Sequence, residues 1–521
     1  MLNVFSVKDI QSENFKNLAN ASMKKLLISI LSVFFAFSVP ACGQQTAAVC
    51  CQNIKNKDFE QAKVNAQTLP ADWNLPQVKG YSSTLDQTEK HAGKSSFKIS
   101  NTDSTVKGYQ TFSQVIPLTV NKLKRLGISV YIKTKDVKGE VATWCQLWDK
   151  NDKQVGFQNL GIQQGPISGS GEWKKYTLNL TVDQDIKKLF FGSYLGGTGS
   201  AWFDDFEVEE ITVPDFPPSS EAVKYISEFA SIVKKNSIYK DSLNWSAIDE
   251  GVSQLSRGVK NIDEAKSVIY YILGKLHQAG DNHSFIQSPT VAKAYATGNT
   301  NPRRTSSRLI ENHIGYISVP GFGSVDQQAK DDFAKDIQDR IETLDSENEI
   351  DYWIVDLRSN NGGNMYPMIA GLGPLTGEGT LGYFVKGGAK MDYNKWSYEP
   401  KKGKKGSGLG VNIDKPYQLR KPDSKIAVLV GGGTASSGEM TAISFIGRAN
   451  TKLFGQATGG YTSANAPYNL SDGSVLLLAV SYTADRNKKE YKSKIQPDVL
   501  VKETQGDDLT LKTAQNWLLD K

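Results

Sequence analysis

The sequence predicts a multidomain protein in which an all-β jelly roll precedes a helical subdomain and an α/β core. Two observations support this. The first half alternates apolar and polar residues, as half-buried strands do, whereas the second half mixes apolar residues at helical spacing with short apolar runs. Between them lies TVPDFPPSSE, a proline-rich segment typical of a linker. A chain of 521 residues is long enough for several cores.

The N-terminus predicts a targeting segment. Met23-Lys24-Lys25 is followed by the apolar run Leu26–Val39, which is too short for a membrane span and typical of a signal peptide. Small residues that lead into Cys42 resemble a bacterial lipobox, in which the cysteine is acylated. We therefore expect a lipoprotein-type signal peptide over residues 1–41, a lipid anchor on Cys42 and export to the cell envelope. Cleavage near Ala41 without acylation is the alternative.

Composition and charge argue against several classes of function. The hydrophobic content of 39% is ordinary for a globular protein, and the net charge of +6 is small for this length. The basic stretch KKGKKG is too short to predict a nucleic-acid partner. No metal-ligand pattern or phosphate-binding loop is recognisable, so we expect no cofactor. Cys50 and Cys51 lie in the polar linker over 42–60, which argues against a disulfide framework.

The region 61–213 predicts a β-sandwich accessory module. Its strand-like runs are short and are separated by Gly, Asp, Asn and Lys clusters. The order of AGKSSFKIS, FSQVIPL, GEWKKYTLNL and GSAWFDDFEVEE resembles that of galactose-binding-like jelly rolls in secreted bacterial enzymes. The resemblance implies a glycan as a candidate ligand. Trp144 and Trp148 share one face of a strand and either stack on a sugar ring or fill the core.

The second half predicts a helical subdomain over 214–300 and an α/β core over 301–521. Two segments of the subdomain, SSEAVKYISEFASIVKKNSIY and NIDEAKSVIYYILGKLHQAG, have helical periodicity, serine or asparagine starts and early acidic residues. In the core, the buried-type strands IGYISVP, DYWIVDL and KIAVLVG alternate with the helical segments FAKDIQDRIETL and GEMTAISFIGRA. This order is typical of an α/β domain.

The segment KIAVLVGGGTASSGEM carries the strongest chemical signal. It predicts a strand, a glycine loop and a helix, with Ser436 and Ser437 at the turn. Free N–H groups at a helix start favour negative charge, so a serine there resembles a nucleophile elbow. The residue types alone do not choose between the two serines. The spacing Ser436-x-x-Glu439 is also that of a helix capping box, which needs no catalysis.

Two further loops are candidates for the same site. In DLRSNNGGN, Gly362 and Gly363 follow a buried strand, where backbone amides approach a ligand closely or simply form a turn. In GDNHSF, His283 lies among small polar residues at the end of a predicted helix. A histidine in such a setting is either a functional base or an ordinary surface residue.

These motifs, in this order and followed by GQATGGYTSANAPYNLSDGSVLLLAVSYTADRNKKEY and IQPD, resemble one family of serine peptidases. It includes the C-terminal processing (tail-specific) peptidases, the tricorn core and the nisin-resistance protein, and the resemblance covers about 220–505. In the family the nucleophile begins a Ser-x-x-Glu motif, which implies that Ser436 is the nucleophile. The resemblance further implies an oxyanion hole formed by the N–H of Ser437 and that of Gly362 or Gly363.

The sequence departs from the tail-specific peptidases in two places. Tyr461, in GQATGGYTSAN, stands where those enzymes carry a general-base lysine. The segment between His283 and Ile314 is also too short to contain their PDZ domain. Both departures match the nisin-resistance-like and tricorn-like branch, whose histidine base lies in an Asp-x-His-Ser motif. The resemblance therefore implies His283 as the base. His313 is the runner-up because it opens the strand IGYISVP.

Three acidic residues are candidates to support this histidine. Asp485 and Glu490, in TADRNKKEY, are candidates to orient His283, and the spacing does not choose between them. Glu439 is a candidate to polarise the site, although helix capping is the favoured explanation for it. No metal is expected.

Together these features predict a secreted or lipid-anchored serine-type endopeptidase, or a carboxyl-terminal-processing-like hydrolase, that acts on peptides or proteins. Two alternatives belong to other classes. One is a catalytically inactive binding protein with the peptidase fold. The other is a cell-surface carbohydrate-binding lipoprotein that acts through the jelly roll.

Overall fold

The computed structural model describes most of the chain after the predicted signal peptide. The described ranges are 54–106, 108–298, 304–387, 391–400, 409–502 and 507–520. The predicted signal peptide, Cys42 and the KKGKKG stretch lie outside them. The described residues form two compact units, one from Gly43–Gln287 with Asn469–Asp472 and one from Ser288–Tyr468 with Gly473–Lys521. The helices within these ranges are all too short or too polar to span a bilayer.

The first unit begins with a β-rich region, as the sequence predicts. Its strands are β1 (Ala62–Lys63), β2 (Ala66–Pro70), β3 (Ser82–Asp86), β4 (Ser96–Asn101), β5 (Tyr109–Pro117), β6 (Lys124–Asp149), β7 (Gln154–Asn159), β8 (Ile167–Val182) and β9 (Ile186–Glu210), with the short helix α1 (Leu160–Gln164). The long strands β6 and β9 pair antiparallel over most of their length. Strands β4 and β5 also pair with β9, and β7 and β8 with β6, all antiparallel.

Aromatic side chains fill the interior of this β-rich region. Phe112 lies 4.8 Å from Phe97 and 5.1 Å from Phe203 between ring centroids. Trp73 packs on Phe59 at 5.3 Å. These side chains are almost fully buried, so they supply the large apolar area that stabilises the region. The jelly-roll topology stays a prediction.

Helices complete the first unit. They are α2 (Ser220–Asn236), α3 (Trp245–Ser256) and α4 (Ile262–Gln278), with a 3₁₀ turn at Lys240–Ser242 and the short strand β10 (Phe285–Gln287). Ser219 caps α2 and Asn261 caps α4 through their side chains, as their positions in the sequence predict. Helix α4 packs on β7 and β8, and Lys275 of α4 pairs with Asp183 beside β8. The helices and the β-rich region therefore share one unit, and the domain boundaries stay predictions.

The second unit has an α/β architecture. Its strands are β11 (Ser306–Ile310), β12 (Ile314–Ser318), β13 (Tyr352–Asp356), β14 (Gly379–Lys386), β15 (Asp392–Tyr398), β16 (Lys425–Val430), β17 (Thr451–Gly455), β18 (Ala464–Asn469), β19 (Val475–Asp485), β20 (Glu490–Tyr491) and β21 (Val499–Leu500). Its helices are α5 (Pro289–Ala296), α6 (Gln327–Glu347), α7 (Met365–Gly371), α8 (Gly373–Thr376), α9 (Ser437–Ile443) and α10 (Leu509–Leu518).

A six-stranded sheet with the order β11-β12-β13-β16-β17-β21 forms the centre of this unit. Strands β12, β13, β16, β17 and β21 are parallel, and only β11 is antiparallel to its neighbour. The predicted strands in IGYISVP, DYWIVDL and KIAVLVG are thus confirmed. Residues of α6 pack on one face of the sheet and residues of α10 on the other. The loops after β12, β13 and β16 consequently leave the same edge, where α/β folds bind ligands.

A second, antiparallel set of strands completes the unit. Strand β14 pairs with both β15 and β19, and β19 also pairs with β20. Phe384 and Trp396 pack together at 4.9 Å on the face of this set that joins the main core.

Candidate active site

The turn between β16 and α9 has an unusual backbone conformation at Ser436. The residue has φ 54° and ψ −122°, although it is not glycine, and α9 begins at the next residue. A non-glycine residue with positive φ is strained by about 1–3 kcal/mol and persists only where the surrounding structure enforces it. A serine on a strained strand-to-helix turn is the geometry of a nucleophile elbow. A simple capping box does not require this strain.

Buried hydrogen bonds hold this turn against the loop that follows β13. The hydroxyl of Thr434 donates to the carbonyl of Leu357 at 2.8 Å, and the Ala435 N–H donates to the Asn360 carbonyl at 3.0 Å. The N–H of Gly431 donates to Thr434 Oγ1 at 3.1 Å. The two loops are therefore one rigid assembly at the carboxyl edge of the sheet.

Gly362 and Gly363 are required by close packing at this assembly. A Cβ on Gly362 would lie 2.8 Å from Ser436 Cβ and 3.1 Å from the Ser437 nitrogen. A Cβ on Gly363 would lie 2.0 Å from the carbonyl oxygen of Phe322. Both residues also have positive φ, at 101° and 112°. The structure thus brings the two predicted glycines together with both predicted serines.

The polar groups of this assembly have defined partners. The N–H of Gly362 donates to Asn360 Oδ1 at 3.1 Å. The Ser437 hydroxyl donates to the Gly363 carbonyl at 2.6 Å. The Ser437 side chain therefore ties the start of α9 to the glycine loop.

The carboxylate of Glu439 organises the other side of the turn. It is fully buried and accepts the N–H of Ser436 at 2.9 Å, of Gly460 at 2.9 Å and of Tyr461 at 2.7 Å. The Thr458 hydroxyl also donates to it. Burial raises the pKa of the Glu439 carboxyl above its ordinary value, while these four donors act to lower it. Glu439 thus joins the turn to the segment that contains Tyr461.

His283 lies in the first unit, on a short loop between α4 and β10. The buried carboxylate of Asp281 accepts the N–H groups of His283 and Ser284, each at 2.9 Å, and the Ser284 hydroxyl at 2.5 Å. His277, on α4, bonds through Nε2 to the Ser284 carbonyl at 3.1 Å. The backbone of the His283 loop is therefore fixed by buried polar contacts.

The remaining histidines have other environments. His313 precedes β12, whereas the Ser436 loop leaves the opposite edge of the same parallel sheet, about 15 Å away along a five-residue strand. His313 is therefore badly placed to be the base. His91, in the β-rich region, stacks on Tyr131 at 3.5 Å and contacts Asp205 at 2.7 Å.

The two other predicted acidic residues bond within their own hairpin. Asp485 ends β19, and its carboxylate accepts the N–H groups of Asn487 and Lys489 and the Tyr491 hydroxyl. Glu490 pairs with Lys492 at 3.0 Å. These contacts stabilise the β19–β20 turn, and a role for either residue in orienting His283 stays a prediction.

Sequence reasoning missed the buried polar residues that support the site. Asn360, Thr434 and Thr458 are fully buried, and Asp281 fixes the histidine loop. All four lie within the quoted motifs, but their residue types do not distinguish a buried partner from a solvated one. In the described part of the chain, no three His, Cys, Asp or Glu side chains are arranged to hold a metal ion.

The parallel sheet with a strained serine turn beside a glycine loop resembles the arrangement of α/β proteins that present a serine on a nucleophile elbow. Comparison with known proteins specifies it further. The family model described as "Peptidase family S41" matches residues 313–501. The nisin-resistance protein of Lactococcus lactis is 32% identical over 286 residues, which are 54% of this chain and 84% of that protein. The chain therefore belongs to peptidase family S41, a family of serine-type peptidases, and the family prediction is confirmed.

Two other similarities are lower in identity or coverage. The carboxy-terminal processing protease CtpA of Bacillus subtilis is 29% identical over 195 residues, 37% of this chain and 36% of that protein. The structure of a lipoprotein from Streptococcus agalactiae is 26% identical, with a TM-score of 0.48, and the match covers 60% of this chain and 99% of that one.

Proposed function

We propose that this chain hydrolyses peptide bonds with Ser436 as the nucleophile. The observation that carries the proposal is the positive φ of Ser436 at a strand-to-helix turn packed against Gly362. That conformation is strained, and such strain is typical of sites where a side chain must be presented to a substrate. Membership of a serine peptidase family supports the same assignment.

The oxyanion that forms during attack needs two converging N–H donors. Ser437 N–H is the first candidate because it follows the nucleophile at the start of α9. The Gly362 N–H already donates to Asn360, so we assign the second donor to Gly363 and a space-making role to Gly362. The bond from the Ser437 hydroxyl to the Gly363 carbonyl supports this, since it holds the two proposed donor residues together.

We assign the general base to His283. In this mechanism Ser436 Oγ attacks the peptide carbonyl while His283 takes the hydroxyl proton, and His283 then gives that proton to the leaving amine. Water hydrolyses the acyl-enzyme by the same steps and regenerates the serine. The Asp281 carboxylate supports the assignment, because it fixes the backbone of the histidine loop. Glu439 acts on the backbone of the turn and positions the nucleophile.

The N-terminal sequence supports a place of action at the cell envelope. We propose export through the segment 1–41 and a lipid anchor on Cys42, which would hold the enzyme at a membrane of the cell envelope. Peptides or proteins of that compartment would be the substrates. A nisin-resistance protein and a carboxy-terminal processing protease among the relatives support a peptide substrate.

We keep a glycan as a candidate ligand of the β-rich region. The burial of Trp144 and of Trp148 shows which of the two is available to contact it. Trp144 is almost fully buried, packs edge-on against Phe190 at 5.0 Å and donates to Thr111 Oγ1 at 3.1 Å. It therefore belongs to the packed interior. Trp148 is half-buried and is the better candidate to stack on a sugar ring.

A pair of serine variants tests the proposed chemistry. Ser436→Ala should lower kcat/KM for a cleaved peptide by about 10³-fold or more, because it removes the nucleophile. Ser437→Ala keeps its backbone N–H and loses only the bond to Gly363, so a loss of a few-fold is expected. Both should unfold at nearly the same temperature as the unchanged protein. Equal losses in the two variants would contradict the assignment.

Labelling with an active-site phosphonate separates an enzyme from an inactive binding protein. The unchanged chain should become labelled at Ser436, and the Ser436→Ala variant should not. Absence of label on a folded, unchanged chain would favour the binding-protein alternative.

A further inference from the structure

The side chain of Arg358 joins two distant segments of the second unit. Its Nε donates to Asp356 Oδ1 at 3.0 Å, and its Nη2 donates to Asp356 Oδ2 at 2.6 Å. Its Nη1 and Nη2 donate to the two oxygens of Asp508 at 2.7 and 2.9 Å. The guanidinium therefore forms a two-pronged ion pair with each acid, the geometry in which arginine–carboxylate contacts are strongest.

Asp508 lies at the start of the C-terminal helix. It is the N-cap of α10, and its Oδ1 accepts the N–H of Leu511 at 2.9 Å. Hydrogen bonding from Arg358 lowers the pKa of the Asp508 carboxyl below its ordinary value. Helix α10 is itself fixed, because Ala514 and Leu518 are fully buried on one face of the central sheet.

The backbone of Arg358 belongs to the loop that ends in Gly362 and Gly363. Its carbonyl oxygen would lie 2.5 Å from a Cβ on Gly433, so it packs directly against the loop that leads to Ser436. The preceding carbonyl, of Leu357, accepts the Thr434 hydroxyl. A constraint on the Arg358 side chain therefore reaches both loops of the candidate site.

We propose that Asp508 is a positioning residue, through which the C-terminal helix holds the Arg358 loop and its glycines in the geometry needed for catalysis. Asp508 does not contact the proposed nucleophile and acts through Arg358. The catalytic part of this inference rests on the proposed function. The mechanical part, that Asp508 restrains the loop 357–363, does not.

The variant Asp508→Asn isolates the ion pair. Asparagine caps a helix about as well as aspartate, so α10 should keep its start while the charge that pairs with Arg358 is lost. Asp507→Asn is the matched control. Asp507 is the neighbouring acid, and its Oδ1 pairs with Lys512 of the same helix at 2.8 Å.

Two measurements on the full chain test the effect of these substitutions. Hydrogen exchange followed by mass spectrometry should show about tenfold faster exchange of amides in 357–363 for Asp508→Asn, with the rest of the chain unchanged. Steady-state hydrolysis should show kcat lower by about tenfold and KM unchanged, because small misplacements of catalytic groups affect the rate step. Asp507→Asn should change neither quantity.

The outcomes separate this inference from the proposed function. Unchanged exchange in 357–363, or faster exchange spread over the whole chain, overturns the positioning role whatever the activity. A loosened loop with unchanged kcat, in an enzyme that needs Ser436, overturns it as well. Hydrolysis that survives Ser436→Ala refutes the proposed function, and the exchange data still decide whether Asp508 restrains the loop.

Discussion

The interior of the β-rich region and the interior around Ser436 are both fully buried, but different residue types fill them. Aromatic rings occupy the first, with centroids of neighbouring rings 4.8 to 6.1 Å apart. Asn360, Thr434, Glu439 and Thr458 occupy the second, and each is fully buried. Apolar packing stabilises a fold without specifying single atoms, whereas buried hydrogen bonds fix the positions of particular backbone groups.

The difference shows that the protein buries polar side chains around Ser436 in particular. A buried carboxylate such as Glu439 is unfavourable unless its oxygens are satisfied, so its four donors must be held in place. Those donors include the N–H of the strained Ser436. The polar interior thus gives less apolar stabilisation but fixes the conformation of the turn. Such an arrangement is expected at a functional site rather than in a purely structural region.

The largest effect is expected at the histidine loop, where a second polar interior surrounds Asp281. His283→Ala should lower kcat/KM about as much as Ser436→Ala, by about 10³-fold or more, because a nucleophile and its base act as a unit. His277→Ala should have an intermediate effect, since it removes only the bond to the Ser284 carbonyl. Peptide hydrolysis assays on the purified variants give the comparison.

His313→Ala is the control for this prediction, and full activity is expected. In the unchanged enzyme, kcat/KM should rise with pH as the histidine base loses its proton. Retained activity in His283→Ala would show that another residue takes the proton.

A substitution in the aromatic interior of the β-rich region should lower the stability of the protein but leave its kcat unchanged. Phe112→Ala should lower the free energy of unfolding of the β-rich region by about 3–5 kcal/mol, because it removes a fully buried ring that contacts several others. The kcat per folded molecule should not change. Urea unfolding and active-site titration measure the two quantities, and a fall in kcat at full folding would show that the two interiors are not separate in function.

A substitution in the polar interior around Ser436 should change both stability and kcat. Glu439→Gln leaves an amide where four donors point, so we expect a loss of about 2–3 kcal/mol in stability and of about 10- to 100-fold in kcat. Glu399→Gln is the matched control, because Glu399 is exposed, pairs with Lys395 at 3.9 Å and has no proposed role at the site. A loss of stability in Glu439→Gln without a loss of kcat would show that Glu439 only caps the helix and does not position the nucleophile.

The smallest effect is expected for a buried aspartate in the otherwise apolar interior of the β-rich region. Asp204 is almost fully buried, and burial, followed by the charge of Asp205, raises its pKa to about 6. An unfolded aspartate titrates near 3.9. The raised pKa therefore contributes stability below about pH 4, and that contribution disappears as the pH rises through about 6.

Asp204→Asn should remove this pH dependence, which we expect to amount to about 1–2 kcal/mol between pH 4 and pH 7. Denaturant unfolding of both proteins across this range gives the difference directly. Identical slopes in the two proteins would show that Asp204 stays ionised when folded.

Much of the fold follows from local pattern. The apolar runs in IGYISVP, DYWIVDL and KIAVLVG predict three strands, and parallel strands deliver their following loops to one edge of the sheet. The sequence alone therefore predicted the strands that precede DLRSNNGGN and GGGTASSGE, and the observed parallel pairing of β13 with β16 brings these two loops to one edge. The antiparallel set of β14, β15, β18, β19 and β20 was not predicted, because it pairs β14 with β19, two strands that lie far apart in the sequence.

The tertiary structure decided the conformations and contacts within that edge. It gave Ser436, but not Ser437, a positive φ, and it placed His313 at the other end of the sheet. It supplied Glu439 with partners about twenty residues further along the chain, and Arg358 with Asp508 from the C-terminal helix. Local sequence patterns report which residues are apolar and where strands and helices begin. Hydrogen bonds between distant segments depend on the register and direction of side chains, and only the packed chain sets these.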